Sequence, residues 1–354
     1  MKILHTYCQN HNLGDYALAI GVKNVLRKHL RVDLIGETNI QGQEFSEYYI
    51  NEVVNKKYDL LVVGGGGIIH GAHWPNGWFW LIKKELIKEI KIPFIVYGVG
   101  YNYWEEEGDI PQRGIEHLRE TYKYAKHFSV RNDGSAERLY KATDIKPLVM
   151  PDPGFHVGEC HPFLPKQNGK YVVIQLAYDK PSNRFKSPNA KSNFIEGLRS
   201  IVKELTKKYW VTFAPHVYED IIISEEVSRN IRRTNILDFG YFAFDHTAEL
   251  IPYYRDAEFV IAMRGHGQII PIGLNVPVIS LENHPKHKGL MIELGLEAFN
   301  ISINEENFQE TLSEKIKEIE SRSSEIKKSL MGINSSIQAM TNQGFNEITK
   351  QLGY

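Results

Sequence analysis

The chain has 354 residues, 42% of them hydrophobic, and its 42 lysines and arginines nearly balance 43 aspartates and glutamates. A formal charge of −1 excludes a general pull toward nucleic acid or acidic membranes, so any anion site must be built locally. Two cysteines, Cys8 and Cys160, give no disulfide framework or metal-ligand spacing, and no apolar stretch approaches the ~20 residues that span a bilayer.

The start, MKILHTYCQNHNLGD, lacks the apolar core of a signal peptide, so a soluble protein of a reducing compartment is expected. Lys2–Tyr7 reads as a strand and Gln9–Asp15 as a polar loop ending in Asn12-Leu13-Gly14-Asp15. A helix is expected from about Tyr16 to His29, with the Asp15 carboxylate accepting a free N–H of its first turn. A cap and a tight turn explain Asp15 and Gly14 as well as a ligand would. Tyr58–Val63 is an apolar strand of the buried parallel type, running into Gly64-Gly65-Gly66-Gly67. Such a glycine run leaves backbone N–H groups open to a phosphate or a sugar, although a tight strand-to-helix turn would use it equally. No Gly-Lys-Ser/Thr follows, which excludes a Walker loop.

Pro93–Val99 is the next strand, ending in Gly98-Val99-Gly100 before an aromatic and acidic loop, Tyr101–Glu107. His127–Val130 ends at Arg131, Asp133 or Ser135 caps a helix over Ala136–Lys141, and Pro147–Met150 leads into Pro151-Asp152-Pro153-Gly154-Phe155. Strand ends that repeatedly deliver glycine, arginine or aspartate predict a doubly wound sheet with a functional carboxyl edge. Gly158–Gly169 reads as an interdomain linker. Beyond it come the strand Tyr171–Leu176, a solvated basic loop over Ala177–Asn193 (Lys180, Arg184, Lys186, Lys191), and the helix Phe194–Lys208. Trp210–Pro215 and Ile236–Asp238 are the next strands, with helices near Ser224–Arg233 and Thr247–Asp256. A minority reading has the basic loop gripping an anionic acceptor.

The most informative stretch is Glu258–Gly295. The apolar run Phe259–Met263 stops at Arg264-Gly265-His266-Gly267, an apolar helix follows to Leu274, and a second run, Val276–Leu281, precedes a polar loop carrying Lys286. This is one βαβ unit whose strands are parallel neighbours, with Arg264, His266 and Lys286 at the carboxyl edge and a helix amino terminus beside them. Two fixed cations and an imidazole suit a compact, multiply charged anion. From Glu305 onward the chain is polar and helical, without a persistent heptad.

These segments together resemble the polysaccharide pyruvyl transferase family. The resemblance spans Asn12–Asp15, the glycines 64–67, Gly98-Val99-Gly100, Val130-Arg131 through Ser135 and Asp152–Phe155. It is most specific at Met263–His266, Gly273–Ile279, Pro285-Lys286 and Met291–Leu296. The chain departs from the family pattern at Glu282-Asn283-His284, where an aromatic residue is frequent, at Pro271, where alanine is, and at Tyr101, near which a proline is.

The resemblance implies an α/β fold of two Rossmann-like, doubly wound parallel-sheet domains facing a cleft, the GT-B type. Residues 1–160 would be the acceptor side, 170–320 the phosphoenolpyruvate side, and 321–354 a helical tail packing back across them. The implied reaction moves pyruvate from phosphoenolpyruvate onto a sugar of an envelope polysaccharide, or its lipid-linked precursor, as a ketal with release of phosphate. His266 would be the acid–base group, and Arg264 and Lys286 would hold the donor together with Gly265 and Gly267. Asn12, Asp15, Gly65, Gly66, Gly67, Tyr101, Trp104 and Arg131 would meet the acceptor. No cofactor or nucleic acid is implied, and the location would be cytoplasmic, with contact at the inner membrane face as an open alternative. Trp78 and Trp80 read as core. The spacings of His70, His73, His156, His161, His284 and His287 match no metal-ligand pair.

Two other functions fit parts of the pattern. Gly273–Ile279 also occurs in GT-B glycosyltransferases that use nucleotide-sugar donors, where a glycine pair and a carboxylate usually follow instead of Lys286 and two histidines. A non-catalytic anion- or glycan-binding protein is the second alternative.

Overall fold

The structure is a computed structural model and describes residues 1–71, 74, 76–102, 108–158 and 169–353. Its contacts divide the chain into two compact units, one of Met1–Asn10, Leu18–His156 and Ile337–Tyr354, the other of His11–Ala17 and Val157–Ser336. Trp104, His73, His161 and most of the expected linker lie outside the described residues.

In the first unit β1 (Lys2–Tyr7), β2 (Leu34–Asn39), β3 (Leu60–Ile69), β4 (Phe94–Tyr101), β5 (His127–Arg131) and β6 (Leu148–Met150) form one parallel sheet in the order β2-β1-β3-β4-β5-β6. The helices are α1 (Leu13–His29), whose residues up to Ala17 belong to the second unit, the short α2 (Glu47–Tyr49) and α3 (Asn55–Lys57), α4 (Gln112–Tyr124) and α5 (Ser135–Thr143). Successive strand residues point to opposite faces, so Leu4, Leu61, Val63 and Val96 join one core with Trp78 and Trp80. Ile3, Leu60, Val62 and Ile95 join the other with Leu18, Val22 and Phe345.

One strand was not expected, and one expectation changes. The strand β2 carries no apolar alternation because it is an edge strand, half exposed along its length. The glycine run is no loop but part of β3, with a register shift against β4 between Gly66 and Ile69. Gly64, Gly65 and Gly66 all have positive φ, and a Cβ on Gly65 would lie 1.8 Å from Leu18 Cδ2. The run is a bulged strand onto which α1 packs closely.

In the second unit β7 (Tyr171–Gln175), β8 (Trp210–Phe213), β9 (Thr234–Ile236), β10 (Val260–Ala262), β11 (Val278–Glu282) and β12 (Asn300–Ser302) form a parallel sheet in the order β12-β11-β10-β7-β8-β9. As expected, β10 and β11 are parallel neighbours, with Val260 opposite Val278. The helices are α6 (Pro181–Arg184), α7 (Pro188–Leu205), α8 (Asp220–Ser228), α9 (Phe239–Arg255), α10 (Gly265–Gly273), α11 (Pro285–Glu293) and α12 (Phe308–Leu352), whose residues from Ile337 onward belong to the first unit. α9 starts at Phe239 rather than near Thr247, because the Asp238 side chain accepts from the Tyr241 N–H at 2.9 Å. The chain starts this sheet at β7 and later places β10 on its other side, so the loops after β7 and β10 flank the switch point. No helix among the described residues is long and apolar enough to cross a membrane.

His5, His117 and His127 are buried in the first unit, and burial pushes each pKa down to about 4 from 6.5. Between those values an unfolded imidazole binds a proton that the folded one does not. Their stability contribution is therefore intact above pH 6.5 and falls as the pH drops toward 4, by on the order of 3 kcal/mol per histidine. Urea unfolding at pH 7 and pH 5 should show this loss, and His127→Leu should make it shallower.

Candidate active site at the carboxyl edge of the second sheet

The strand β10 ends the sheet's central ladder, and the next residues turn sharply. The Met263 N–H donates to the Gln175 carbonyl at 2.9 Å and the Arg264 N–H to Gln175 Oε1 at 2.8 Å. Gly267 must lack a side chain here, since a Cβ would lie 2.8 Å from that same Oε1. Arg264 is the cap residue of α10, and Gly265 and His266 open its first turn, where the helix dipole favours an anion.

The Arg264 guanidinium is not bare. Asp220, fully buried at the start of α8, accepts from its Nε at 2.7 Å and from its Nη2 at 2.6 Å. Asp179, after β7, accepts from the same Nη2. Burial alone would lower the Arg264 pKa, but the two carboxylates outweigh it and raise it. Asp179 also takes Arg184 Nη2 at 2.8 Å, and Arg184 Nη1 donates to Asn283 Oδ1 just beyond β11. Arg184, expected in a solvated loop, is thus buried in a network with Arg264, because Asp179 and Asn283 accept its donors.

His266 is half-buried in the same turn. A Cβ on Gly14 would lie 2.3 Å from its Nδ1, so Gly14 is required for the Asn12–Asp15 turn to lie against the imidazole. That turn is seated by the Leu13 N–H donating to the His216 carbonyl at 3.2 Å. Asn12 rather than Asp15 caps α1, its Oδ1 accepting from the Gly14 N–H at 3.0 Å. Asp15 instead sits in the first turn, half-buried. His216 is fully buried, with Nε2 2.6 Å from Tyr254 Oη; burial first, then Arg264 and His266, push its pKa well below 6.5.

Lys286 stands in the first turn of α11, its N–H donating to His284 Nδ1 at 3.2 Å. His287 beside it is buried and held neutral, by burial first and then by Lys286, His284, Arg184 and Arg264. The structure therefore gathers Arg264, Gly265, His266 and Gly267 in one turn and places Lys286 in the same electrostatic neighbourhood. Asp179, Asp220 and His216 were not singled out as site residues from the sequence, and Arg184 only in the minority reading of the basic loop. Asp220 opens α8 rather than ending a strand, and nothing in the spacing pairs it with Arg264.

The remaining candidates lie in the first unit. Arg131 is buried, with Nε 2.6 Å from Asp133 Oδ2 and Nη1 3.1 Å from Asp152 Oδ2. It packs across Gly100, where a Cβ would be 2.4 Å from its Nε, and beside Gly67. Tyr101 is a core residue at 3% exposure, so its ring offers no open face to a sugar; the hydrophobic pattern of β4 simply continues through it. Gly65 and Gly66 are buried and Gly67 is half-buried. Among the described residues no group of three or more histidine, cysteine, aspartate or glutamate side chains is placed to hold a metal ion.

Two Rossmann-like units of six parallel strands define a GT-B-type fold, and solved structures share it. A UDP-N-acetylglucosamine 2-epimerase matches with TM-score 0.60 at 12% identity, over 100% of this chain and 96% of that one. The UDP-GlcNAc 2-epimerase of Methanocaldococcus jannaschii matches with TM-score 0.54 at 14% identity, over 90% and 92%. That of Neisseria meningitidis, bound to UDP-GlcNAc, matches with TM-score 0.52 at 13% identity, over 97% and 99%. No curated protein matches the sequence. The family is given by the sequence itself: the chain belongs to the polysaccharide pyruvyl transferases, whose family model matches residues 12–285.

Replacing Asp220 with asparagine should leave a buried guanidinium without its main counter-charge and destabilise the protein by roughly 3–5 kcal/mol. Urea unfolding measures this directly. A loss below about 1 kcal/mol, the worth of an exposed pair, would show that Asp220 does not anchor the edge.

Proposed function

We propose that the protein transfers pyruvate from phosphoenolpyruvate to two hydroxyls of a sugar in an envelope or exopolysaccharide, or in its lipid-linked precursor, forming a cyclic ketal and releasing phosphate. The observation that carries this reading is the single turn at the switch point that sets a half-buried imidazole beside a fixed guanidinium, with the Asn12–Asp15 turn against the imidazole. Family membership supports a pyruvyl transfer to a saccharide.

The chemistry follows from these groups. Protonated His266 gives its proton to the methylene carbon of the donor, turning it into a methyl group, while a sugar hydroxyl adds to the adjacent carbon. The neutral imidazole then takes the proton of that hydroxyl. Phosphate leaves, a second hydroxyl closes the ketal, and the second hydroxyl's proton departs with phosphate or solvent. Arg264 holds and neutralises the donor, Lys286 and the first turns of α10 and α11 offset charge on the departing phosphate, and Gly265 and Gly267 let the donor approach the backbone. Asn12 and Asp15 offer hydrogen-bond acceptors to the sugar. In the first unit Gly67 is the most open of the glycines, and Arg131 serves by fixing the strand ends around it.

The test is mass spectrometry of candidate glycans or lipid-linked saccharides incubated with protein and phosphoenolpyruvate. A gain of pyruvate minus water, with acceptor-dependent phosphate release, is expected. His266→Ala should lower turnover by at least about 100-fold with an unchanged melting temperature. Near-normal transfer by that variant removes His266 from the mechanism. Gly14→Ala, which pushes a methyl group into the imidazole, should also cut turnover. Phosphoenolpyruvate should raise the melting temperature while UDP does not; stabilisation by UDP alone would favour a nucleotide-sugar donor.

A further inference from the structure

One carboxylate oxygen at this edge occupies the place a ligand would take. Asp179 Oδ1 accepts from Arg184 Nη2 at 2.8 Å and also from Arg264 Nη2, so a single oxygen bridges two guanidiniums. Both arginines have further acceptors. Asp220 grips the Nε and Nη2 of Arg264, and Arg184 is fixed through Nη1 to Asn283 and through Nε to the Asp179 backbone carbonyl at 2.8 Å. Asp179 is the most accessible of the four charged groups, its side chain 35% exposed against 15% for Arg264, 6% for Arg184 and 0% for Asp220. The segment that carries it is pinned at both ends, by the Tyr178 N–H on Asp220 Oδ1 at 3.0 Å and by the Lys186 N–H on Asn304 Oδ1 at 2.9 Å. Arg184 lies inside that segment and is tied beyond it through Nη1 to Asn283, whereas Arg264 is aimed from outside the segment by Asp220.

We propose that Arg184 and Arg264 form a two-guanidinium seat for the carboxylate of a small anionic ligand, and that Asp179 occupies this seat until the ligand's carboxylate replaces it. The inference rests on the donor reading above and adds Arg184 as a binding residue and Asp179 as a competitor. Protonation does not release Asp179. Burial would raise its pKa, but Arg264 and Arg184 outweigh burial and draw it down to about 2, so only exchange for another anion vacates the seat at working pH. Because the carboxylate exchanged is the same chemical group, pyruvate alone should compete for the seat, whereas inorganic phosphate should depend mainly on groups other than Asp179.

Calorimetric binding of phosphoenolpyruvate, pyruvate and inorganic phosphate to the wild type and to Asp179→Asn tests this. The variant should bind phosphoenolpyruvate and pyruvate about tenfold more tightly, equivalent to about 1.4 kcal/mol, with phosphate changed much less. Arg184→Lys, which keeps the charge but loses the fork, should weaken both carboxylate ligands. Unchanged or weaker pyruvate binding by Asp179→Asn overturns the proposal, whether or not phosphoenolpyruvate is turned over. If the wild type turns over phosphoenolpyruvate and the variant binds no tighter, only this inference falls; if the wild type has no such turnover but the variant gains pyruvate affinity, only the functional reading falls. Should Asp179→Asn fail to fold, amide exchange in the wild type decides. Residues 179–183 should exchange faster with saturating pyruvate, and unchanged or slower exchange overturns the proposal.

Discussion

The second unit's edge depends on Asp220. Removing a carboxylate from water costs several kcal/mol, and the cost is offset only when donors surround it. Here they come from three loops: the Tyr178 N–H after β7, the His216 and Val217 N–H groups after β8, and the Nε and Nη2 of Arg264 after β10. Those three strands are neighbours in the order β10-β7-β8, so one carboxylate ties together the loops that the topology delivers to the switch point. The same residue 216 passes the constraint onward, since its carbonyl seats Leu13 and thereby the turn against His266. Geometry at the imidazole is set by a charge that never touches it.

The first unit uses the same device independently. Arg131 leaves the end of β5 and is held by Asp133 and Asp152, and the glycines at 67 and 100 are small because the guanidinium passes over them. The charge count is the same: Arg131 and Arg138 face Asp133 and Asp152, and Arg264 and Arg184 face Asp179 and Asp220.

The sequence made the parallel strands legible because fully buried strands are continuous apolar runs, and Tyr58–Val63 or Phe259–Met263 permit little else. It hid β2 and β12, an edge strand at the margin of each sheet, where one side faces no neighbour and the apolar pattern lapses. The glycine run was visible, but its use was not: whether a glycine spares room for a ligand or for Leu18 depends on which helix packs there. Arg264 and His266 could be found from their strand-end position. The pairing of Arg264 with Asp220 and Asp179, 44 and 85 residues away, and of Arg184 with Asn283, 99 residues away, could not, since it exists only after the sheet has formed.

That distance in sequence has a chemical consequence. A guanidinium held side-on by a fully buried carboxylate keeps its plane and its charge whatever happens at its outer edge, because neither Asp220 nor the strands beneath it can follow a ligand. Such preorganisation removes the reorganisation that a flexible surface arginine would undergo on binding. It also makes the seat attractive to any carboxylate within reach, including one from the protein's own chain. Asp179 is the carboxylate the fold supplies, and an internal occupant lowers the apparent affinity of every carboxylate that must displace it by the same factor.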